Sequence, residues 1–438
     1  MSLWQLHNLL PKGALGVLQP LWPGKLAAVF LFLGVVYAGL VWLHANRSQP
    51  DRYRRSALAA LALVCFGLVD WGLLAALPRL GLSFGPLTFP LIAISGVRLA
   101  VFTMVALPFY LWSGYRLSSR LTAGQSGSSS TGGRSVVGQS GIVGISGRQP
   151  QKSGVSRKML NLGLVCLWLA NLALLAVEVE GLYIEPFDIH TTELRLSGPS
   201  KASGEPLRIL HLTDLHIERI TRREVELIQQ VNALQPDLIL LTGDYANVDY
   251  LEDAHTLRDT RTVLGQLSAP YGVYAVIGSV DGPQVMNKVF SGLPVTVLED
   301  RVQKLQIGQQ EIDLVGVSYS GRTQDGQTLS ALMQHVPKEA YSILLYHTPD
   351  LIDVADRLQI DLYLAGHTHG GQVRLPLWGA IITMSAFGKQ YESGLYQLNP
   401  TTLYVSRGIG MEGLSMPRAR FLCPPEMVVI DLDSEASR

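Results

Sequence analysis

Aspartate and histidine residues follow four apolar runs in the second half of the chain, where their side chains are suited to binding metal ions. These residues are Asp214 and His216 after the first run, Asp244 after the second, His347 after another, and His367 and His369 after the last. Imidazole and carboxylate groups are the usual protein ligands of zinc, iron and manganese. One such residue at a strand end is most often an ordinary hydrogen-bonded side chain, but four separate segments favour a shared site.

The apolar runs predict a sheet that would bring these side chains together. Residues 208–214, 236–244, 271–278, 341–350 and 360–367 each read as a short buried strand, and residues 223–234, 255–267 and 350–357 between them read as helices. Residues 304–317 read as a hairpin. Sites in open α/β sheets collect at the carboxyl ends of strands. On an extended chain, the side chains of residues two apart point to the same side. We therefore expect the side chains of Asp214 and His216 to point at one position, and those of His367 and His369 likewise.

The order of these motifs resembles the calcineurin-like metallophosphoesterase family. The chain has D-x-H at 214–216, G-D at 243–244, G-x-x-D at 278–281, an isolated His347 and G-H-T-H at 366–369. The flanking GHTHGGQ, HTPD and VSRGIGMEGL are similar to the membrane-associated bacterial branch of that family. The resemblance covers roughly residues 205–432. It implies an α/β fold in which two mixed β-sheets, flanked by helices, form a four-layer sandwich.

The resemblance also implies two divalent metal ions, such as manganese, iron or zinc. The first would lie between Asp214, His216, Asp244 and His369, and the second between Asp244, His347 and His367, with Asp244 bridging. Two such ions can clamp phosphoryl oxygens and lower the pKa of a water that attacks in line with the leaving group. Asp244 and Asp281 are the residues expected to take part in catalysis.

The third strand departs from the family pattern. The family usually has G-N-H-D there, whereas this chain has Gly278, Ser279, Val280 and Asp281. Ser279 is a poorer metal ligand than an asparagine, so we expect the second ion to be held more weakly. Val280 cannot donate a proton, and loss of a general acid costs about two to four orders of magnitude in rate. Two interpretations of Asp281 stay open: it reaches the second metal through a water, or it is a turn residue.

The first half of the chain predicts a membrane domain. About 20 apolar residues cross a bilayer, and residues 26–44, 56–77, 87–112 and 159–178 are four such stretches. We therefore assign residues 1–182 to a domain with four transmembrane helices and 183–438 to the metallophosphoesterase domain. Residues 113–158 are rich in glycine and serine and read as a disordered loop. Asp70 and Arg98, the charged residues of the second and third stretches, are expected to pair between two helices.

Positively charged residues orient these helices. They crowd the first and third connections, at 47–55 and 116–158, while the second connection has only Arg79. Because basic loops stay in the cytoplasm, the metallophosphoesterase domain should face outside a cytoplasmic (inner) membrane that the chain crosses several times. Cys65 and Cys166 lie in predicted helices and Cys423 is alone in the globular part, so no disulfide framework is expected.

Two functions fit this organisation. The first is a membrane-anchored, metal-dependent hydrolase of a phosphoester or pyrophosphate, with an amphiphilic, lipid-linked substrate preferred. The second is a catalytically impaired pseudoenzyme that binds metal or a phosphorylated ligand. The chain has no net formal charge and its globular part no basic stripe, so the expected partners are a lipid bilayer and a phosphorylated small molecule, and not nucleic acid.

Overall fold

The computed structural model describes residues 50–84, 91–105, 154–308, 310–321, 323–412 and 418–434. The first predicted transmembrane helix and most of the Gly/Ser-rich segment lie outside these ranges. The described chain contains two compact units. One is formed by residues of 21–71 and 91–176, and the other includes residues of 72–90 together with 177–438.

The second unit contains two six-stranded mixed sheets. The first sheet has the order β1-β14-β2-β3-β4-β5, and its strands are His190–Ser197, Glu426–Asp433, Leu207–Leu212, Leu238–Leu241, Val273–Ala275 and Thr296–Val297. Strands β2, β3, β4 and β5 are parallel, whereas β14 runs antiparallel to β2. The carboxyl ends of β2, β3 and β4 therefore meet at one edge of the sheet.

The second sheet has the order β12-β13-β9-β8-β7-β6. Its strands are Gly394–Gln397, Thr402–Val405, Leu362–Ala365, Tyr341–Leu345, Gln310–Gly316 and Arg301–Ile307. Strands β7, β8 and β9 are parallel to one another, and β6 pairs antiparallel with β7. That antiparallel pair confirms the predicted hairpin. A separate two-stranded ribbon joins β10 (Arg374–Leu375) to β11 (Gly379–Ala380).

Three hydrophobic clusters separate four layers. The first packs helices α4 (Arg222–Leu234), α5 (Ala254–Leu264) and α6 (Pro283–Phe290) on the first sheet, the second lies between the sheets, and the third packs helices α7 (Gln324–Leu332) and α8 (Ile352–Arg357) on the second sheet. Strand β3 shows how the sequence specifies this arrangement, because Leu238 and Leu240 enter the inter-sheet cluster while Ile239 and Leu241 face the helices. A strand covered on both faces needs this uninterrupted apolar run. The predicted α/β fold with two mixed sheets is confirmed.

Helix α4 shows how the chain fixes the start of an element beside the sheet. Thr221 accepts a hydrogen bond from the backbone N–H of Arg223, and Glu224 accepts one from the backbone N–H of Thr221 at 2.8 Å. This capping box satisfies donors that the first helical turn leaves unpaired. The predicted helix 223–234 is therefore present with one additional residue at its amino end.

The amino-terminal part of the described chain contains helices α1 (Pro50–Arg79), α2 (Leu91–Val105) and α3 (Gly154–Val179). Among the described residues two segments are long and apolar enough to cross a membrane, Leu61–Arg79 and Asn161–Phe187, and of the predicted helix 87–112 the structure describes Leu91–Val105. The structure thus gives two of the four expected spans, and α3 begins before the expected residue 159. All three cysteines are free, as predicted.

Asp70 and Arg98 form the predicted ion pair. Arg98 Nε lies 2.6 Å from Asp70 Oδ2, both side chains are buried, and Arg98 Nη1 donates to Asn171 Oδ1 at 3.0 Å. The guanidinium therefore joins α1, α2 and α3, and the carboxylate compensates the cost of burying its charge.

Candidate metal centre

The six predicted ligands lie in loops that follow four strands. Strand β2 ends at Leu212, β3 at Leu241, β8 at Leu345 and β9 at Ala365, all before the ligand residues. Five of the ligands adopt left-handed backbone conformations, with φ of 52° at Asp214, 38° at His216, 58° at Asp244, 70° at His367 and 50° at His369. Such angles are uncommon for residues other than glycine and tend to occur at functional sites.

These angles differ from the extended backbone that the sequence predicted for both motifs. We expected both D-x-H and H-T-H to be extended, with each pair of side chains aimed at one point. Instead, strand pairing ends before both motifs, and the chain turns sharply at each ligand. Asp214 and His216 still point into one group of side chains, as predicted, whereas His367 and His369 point into two different groups.

The first cluster consists of Asp214, His216 and His369. The Nε2 atoms of the two histidines lie 3.1 Å apart, and Asp214 Oδ1 lies 3.9 Å from His216 Nε2 and 3.5 Å from His369 Nε2. All three side chains are buried. Three potential ligand atoms therefore face one another in a space from which bulk water is largely excluded.

The second cluster consists of Asp244, His347 and His367. His347 Nε2 lies 3.1 Å from Asp244 Oδ2 and 3.0 Å from His367 Nδ1. The opposite ring nitrogens are held by backbone carbonyls, since His347 Nδ1 is 2.8 Å from Thr242 O and His367 Nε2 is 3.1 Å from Met384 O. Outer hydrogen bonds of this kind orient a metal-binding imidazole and fix its tautomer.

Asp244 lies between the two clusters. Its Oδ2 is 3.6 Å from His216 Nε2 in the first cluster and 3.1 Å from His347 Nε2 in the second. One carboxylate therefore reaches histidines of both clusters.

The electrostatics of the site favour positive charge. Burial raises the pKa of Asp214, whereas the pKa of Asp244 is lowered because the surrounding histidines outweigh its burial. Burial disfavours a charged His347, yet Asp244 and Asp214 raise its pKa to about 10. Burial and the neighbouring His347 lower the pKa of His367 to about 3. The ionised Asp244 thus favours a positive charge beside it.

The residues of the loop after β4 surround Asp244. The hydroxyl of Ser279 donates to Asp244 Oδ2 at 2.9 Å, and the backbone N–H of Val280 donates to Asp244 Oδ1 at 3.0 Å. The buried carboxylate of Asp281 accepts from the backbone N–H groups of Asp244, Tyr245 and Gly278, at 2.6, 3.1 and 2.9 Å. Asp281 therefore orients the loop that carries Asp244.

Two glycines allow the close approach of these loops. A Cβ atom on Gly278 would lie 2.3 Å from Asp244 Oδ1, and one on Gly366 would lie 2.2 Å from Asp214 Oδ2. Neither contact is possible for a real side chain, so the glycine beside each acid is required by the packing of the site.

Glu412 and Tyr319 also lie at the site, although neither was expected there from the sequence. Glu412 Oε2 is 3.6 Å from His216 Nε2, and the Tyr319 ring is centred 5.7 Å from that of His347. Burial raises the pKa of Tyr319 to about 12. Glu412 follows the G-I-G segment that contacts Asp214, where Gly410 N lies 2.6 Å from Asp214 O. The motif VSRGIGMEGL was a signal for this loop, but its spacing to the ligands is visible only in the fold.

The donor set fits divalent ions. Asp214 Oδ1 is fully buried and accepts no hydrogen bond from the residues that the structure describes, although it faces two imidazole nitrogens. Buried carboxylate oxygens are normally hydrogen-bonded. An orphaned oxygen between two histidines is the arrangement that a bound cation would complete, and mixed nitrogen and oxygen donors suit zinc, iron or manganese.

Comparison with known proteins agrees with this geometry. The profile of the calcineurin-like phosphoesterase family matches residues 207–371. The uncharacterised metallophosphoesterase YkuE of Bacillus subtilis is 32% identical over 262 residues, which cover 58% of this chain and 88% of YkuE. Phosphodiesterase YaeI of Escherichia coli is 30% identical over 244 residues, 53% of this chain and 84% of YaeI.

A third relative is named for a lipid-linked substrate. UDP-2,3-diacylglucosamine pyrophosphatase LpxG of Chlamydia muridarum is 25% identical over 304 residues, 57% of this chain and 90% of LpxG. On this evidence the chain belongs to the calcineurin-like phosphoesterase family, as its motifs predicted. Its class is that of the metal-dependent phosphoric ester hydrolases.

Proposed function

We propose that this protein is a membrane-anchored hydrolase that cleaves a phosphoester or pyrophosphate bond, with a lipid-linked molecule as its preferred substrate. The observation that carries the proposal is the convergence of two buried clusters that share Asp244. Relatives named as a phosphodiesterase and a pyrophosphatase support the reaction type.

Each cluster would hold one divalent ion. The first ion would be held by Asp214, His216 and His369, with Glu412 close enough to contribute, and the second by His347 and His367, with Asp244 shared between the two. When bound, the two ions would neutralise phosphoryl oxygens and lower the pKa of an attacking water. The second would be the weaker, because a serine stands where the family has an asparagine.

The chain's own groups keep this arrangement fixed. Ser279 and the backbone N–H of Val280 each donate to one oxygen of Asp244, while Asp281 holds the backbone on which Asp244 sits. We therefore assign Asp281 a positioning role. Because Val280 cannot protonate a leaving group, turnover should be slow for esters with poor leaving groups and faster for those whose leaving group needs no proton.

Contacts of the connection after α1 support the proposed topology. The backbone N–H of Phe84 donates to Glu218 at 2.7 Å, and Tyr250 donates to the carbonyl of Phe84. Residues 83–84 therefore rest on the phosphoesterase domain, so both would lie on the same side of the membrane. Since the basic connections mark the cytoplasmic side, that side would be the outside of a cytoplasmic membrane crossed by four helices.

Hydrolysis by a variant of the shared ligand tests this function. We expect purified wild-type protein with Mn²⁺ to hydrolyse a generic aryl phosphodiester. Asp244→Asn should lose at least about 100-fold in kcat, because it removes a charge from both metal sites. Asp353→Asn, on the exposed face of α8, is the matched control and should retain wild-type activity. Equal rates for wild-type and Asp244→Asn would refute the assignment.

The G-S-V-D sequence favours a second candidate, a pseudoenzyme that binds metal or a phosphorylated ligand without turnover. The two candidates differ in one measurement. A pseudoenzyme would bind Mn²⁺ yet hydrolyse none of a panel of phosphomonoesters, phosphodiesters and pyrophosphates. Metal-dependent turnover of any of them, lost in Asp244→Asn, would exclude it.

A further inference from the structure

An exposed apolar hairpin stands beside the metal centre. It comprises residues 374–384, which form β10, a turn, β11 and a short following segment. Its exposed apolar side chains are Leu375, Leu377, Trp378, Ile381, Ile382 and Met384. Leu377 is fully exposed and Trp378 is 68% exposed. Contiguous exposed apolar side chains of this size mark an interaction surface.

The hairpin is attached to the end of a candidate membrane span. The backbone N–H of Arg374, at its base, donates to Phe421 O at 2.9 Å, and the following N–H groups of Leu422 and Cys423 donate to the carboxylate of Glu185. Glu185 lies in the last turn of the segment Asn161–Phe187. The short segment 421–423 is therefore all that lies between the hairpin and the point where this helix would leave the bilayer.

The composition of the hairpin suits the boundary of a bilayer. Residues 375–388 contain no charged side chain. The first charge after them is Lys389, whose Nζ lies 5.0 Å from the centre of the Trp378 ring. Tryptophan is enriched at the membrane interface, and lysine can extend its amine towards lipid headgroups while its stem remains in apolar surroundings.

The other end of the hairpin contacts the metal centre. Met384 O accepts a hydrogen bond from His367 Nε2 at 3.1 Å. The hairpin therefore runs without interruption from apolar, exposed side chains to a residue of the second cluster. If the phosphate group of a substrate bound at the metal centre, the part of the substrate attached to that phosphate would lie next to this apolar surface.

We propose that the apolar hairpin enters the acyl-chain region of the lipid leaflet from which the segment 161–187 emerges, so that the metal centre faces lipid headgroups. This inference rests on the membrane anchoring proposed above, and the first arm of its test does not need hydrolysis. A second copy of the chain or another protein covering the hairpin are the alternatives that the experiment must separate.

The test uses the full chain in lipid nanodiscs. Cys65 and Cys166 are replaced by alanine, the buried Cys423 is kept, and an environment-sensitive fluorophore is attached at Leu377→Cys. The control is Glu339→Cys. Glu339 is exposed and precedes the amino end of β8, whereas His347 follows the carboxyl end of that strand. We expect a blue-shifted emission at position 377 and quenching by doxyl-labelled lipids at least about twofold stronger than at position 339.

Three results would overturn the proposal. They are iodide quenching at position 377 equal to that at position 339, energy transfer between labels at position 377 that shows two copies in contact, and failure of the chain to enter nanodiscs. The last result would also remove the proposed anchoring, whereas the first two would leave both anchoring and hydrolysis intact.

A second arm uses Leu377→Asp combined with Trp378→Asp. In a leaflet, these charges should lower hydrolysis of a phospholipid in the nanodisc by about tenfold or more and leave hydrolysis of a soluble aryl phosphodiester within about twofold of wild type. Equal loss on both substrates would indicate damage to the site and contradict the proposed role. An unchanged rate on the phospholipid would contradict it as well.

Discussion

Two residues beside the second cluster, Ser279 and Val280, determine which chemical groups this loop offers to it. Ser279 donates its hydroxyl to Asp244 and Val280 offers only its backbone N–H. Asp281 accepts a hydrogen bond from the backbone N–H of Asp244 and so holds that backbone in place. This loop therefore offers the second cluster a serine hydroxyl and a backbone N–H.

Restoring the family's side chains should raise activity. We expect Ser279→Asn combined with Val280→His to increase kcat on an alkyl phosphodiester by about 10²-fold or more, since a positioned general acid contributes 10²–10⁴. The measurement is kcat at saturating Mn²⁺, and the same pair placed on Asp244→Asn is the control. An unchanged kcat would show that the loop does not approach the leaving group.

Strand β2 contributes a buried histidine that is separate from the ligands. His211 Nε2 lies 2.8 Å from Thr242 Oγ1, and burial lowers the pKa of His211 from 6.5 to about 3. A histidine that stays neutral when folded but takes a proton when unfolded stabilises the fold above pH 6.5. That stabilisation is lost as the pH falls from 6.5 towards 3.

Removing this histidine should make the free energy of unfolding depend less on pH below 6.5. In chelator-treated protein we expect the free energy of unfolding of wild type to fall between pH 6.5 and 5 more steeply than that of His211→Gln, by up to about 1.4 kcal/mol per pH unit. Denaturant unfolding at several pH values measures the difference. His335→Gln, at an exposed histidine, should behave as wild type. Parallel profiles for wild type and His211→Gln would contradict the role given to burial.

The elements were predictable where a periodic pattern met a clear stop signal. The five apolar runs became strands β2, β3, β4, β8 and β9 because each is mostly apolar and short. The ligand geometry was not predictable, because strand pairing ends before Asp214 and His367 and the chain then adopts left-handed angles. Such turns depend on glycines of other loops, for example Gly408, whose added Cβ would lie 2.6 Å from Asp214 Cβ. The position of Glu412 depends on the same long-range packing.

At the scale of the whole molecule, a buried ion pair holds the described amino-terminal helices together. Asp70, Arg98 and Asn171 join three helices. Asp70→Asn should lower the thermal stability of the protein in detergent, because loss of one partner of a buried pair costs about 3–5 kcal/mol. Asp70→Leu with Arg98→Met removes both charges and should be more stable than Asp70→Asn. If the single variant matched wild type, the pair would have no structural role.

The central claim, that two clusters sharing Asp244 hold two cations, is tested most directly by metal content per chain. The full-length protein is purified without a chelating tag, equilibrated with Mn²⁺ and analysed by mass spectrometry of the metal beside Asp244→Asn. We predict about two ions per wild-type chain, the second lost first on dilution, and at most one in the variant. A wild-type chain that holds no ion, or a variant that holds as many ions as wild type, would contradict the account.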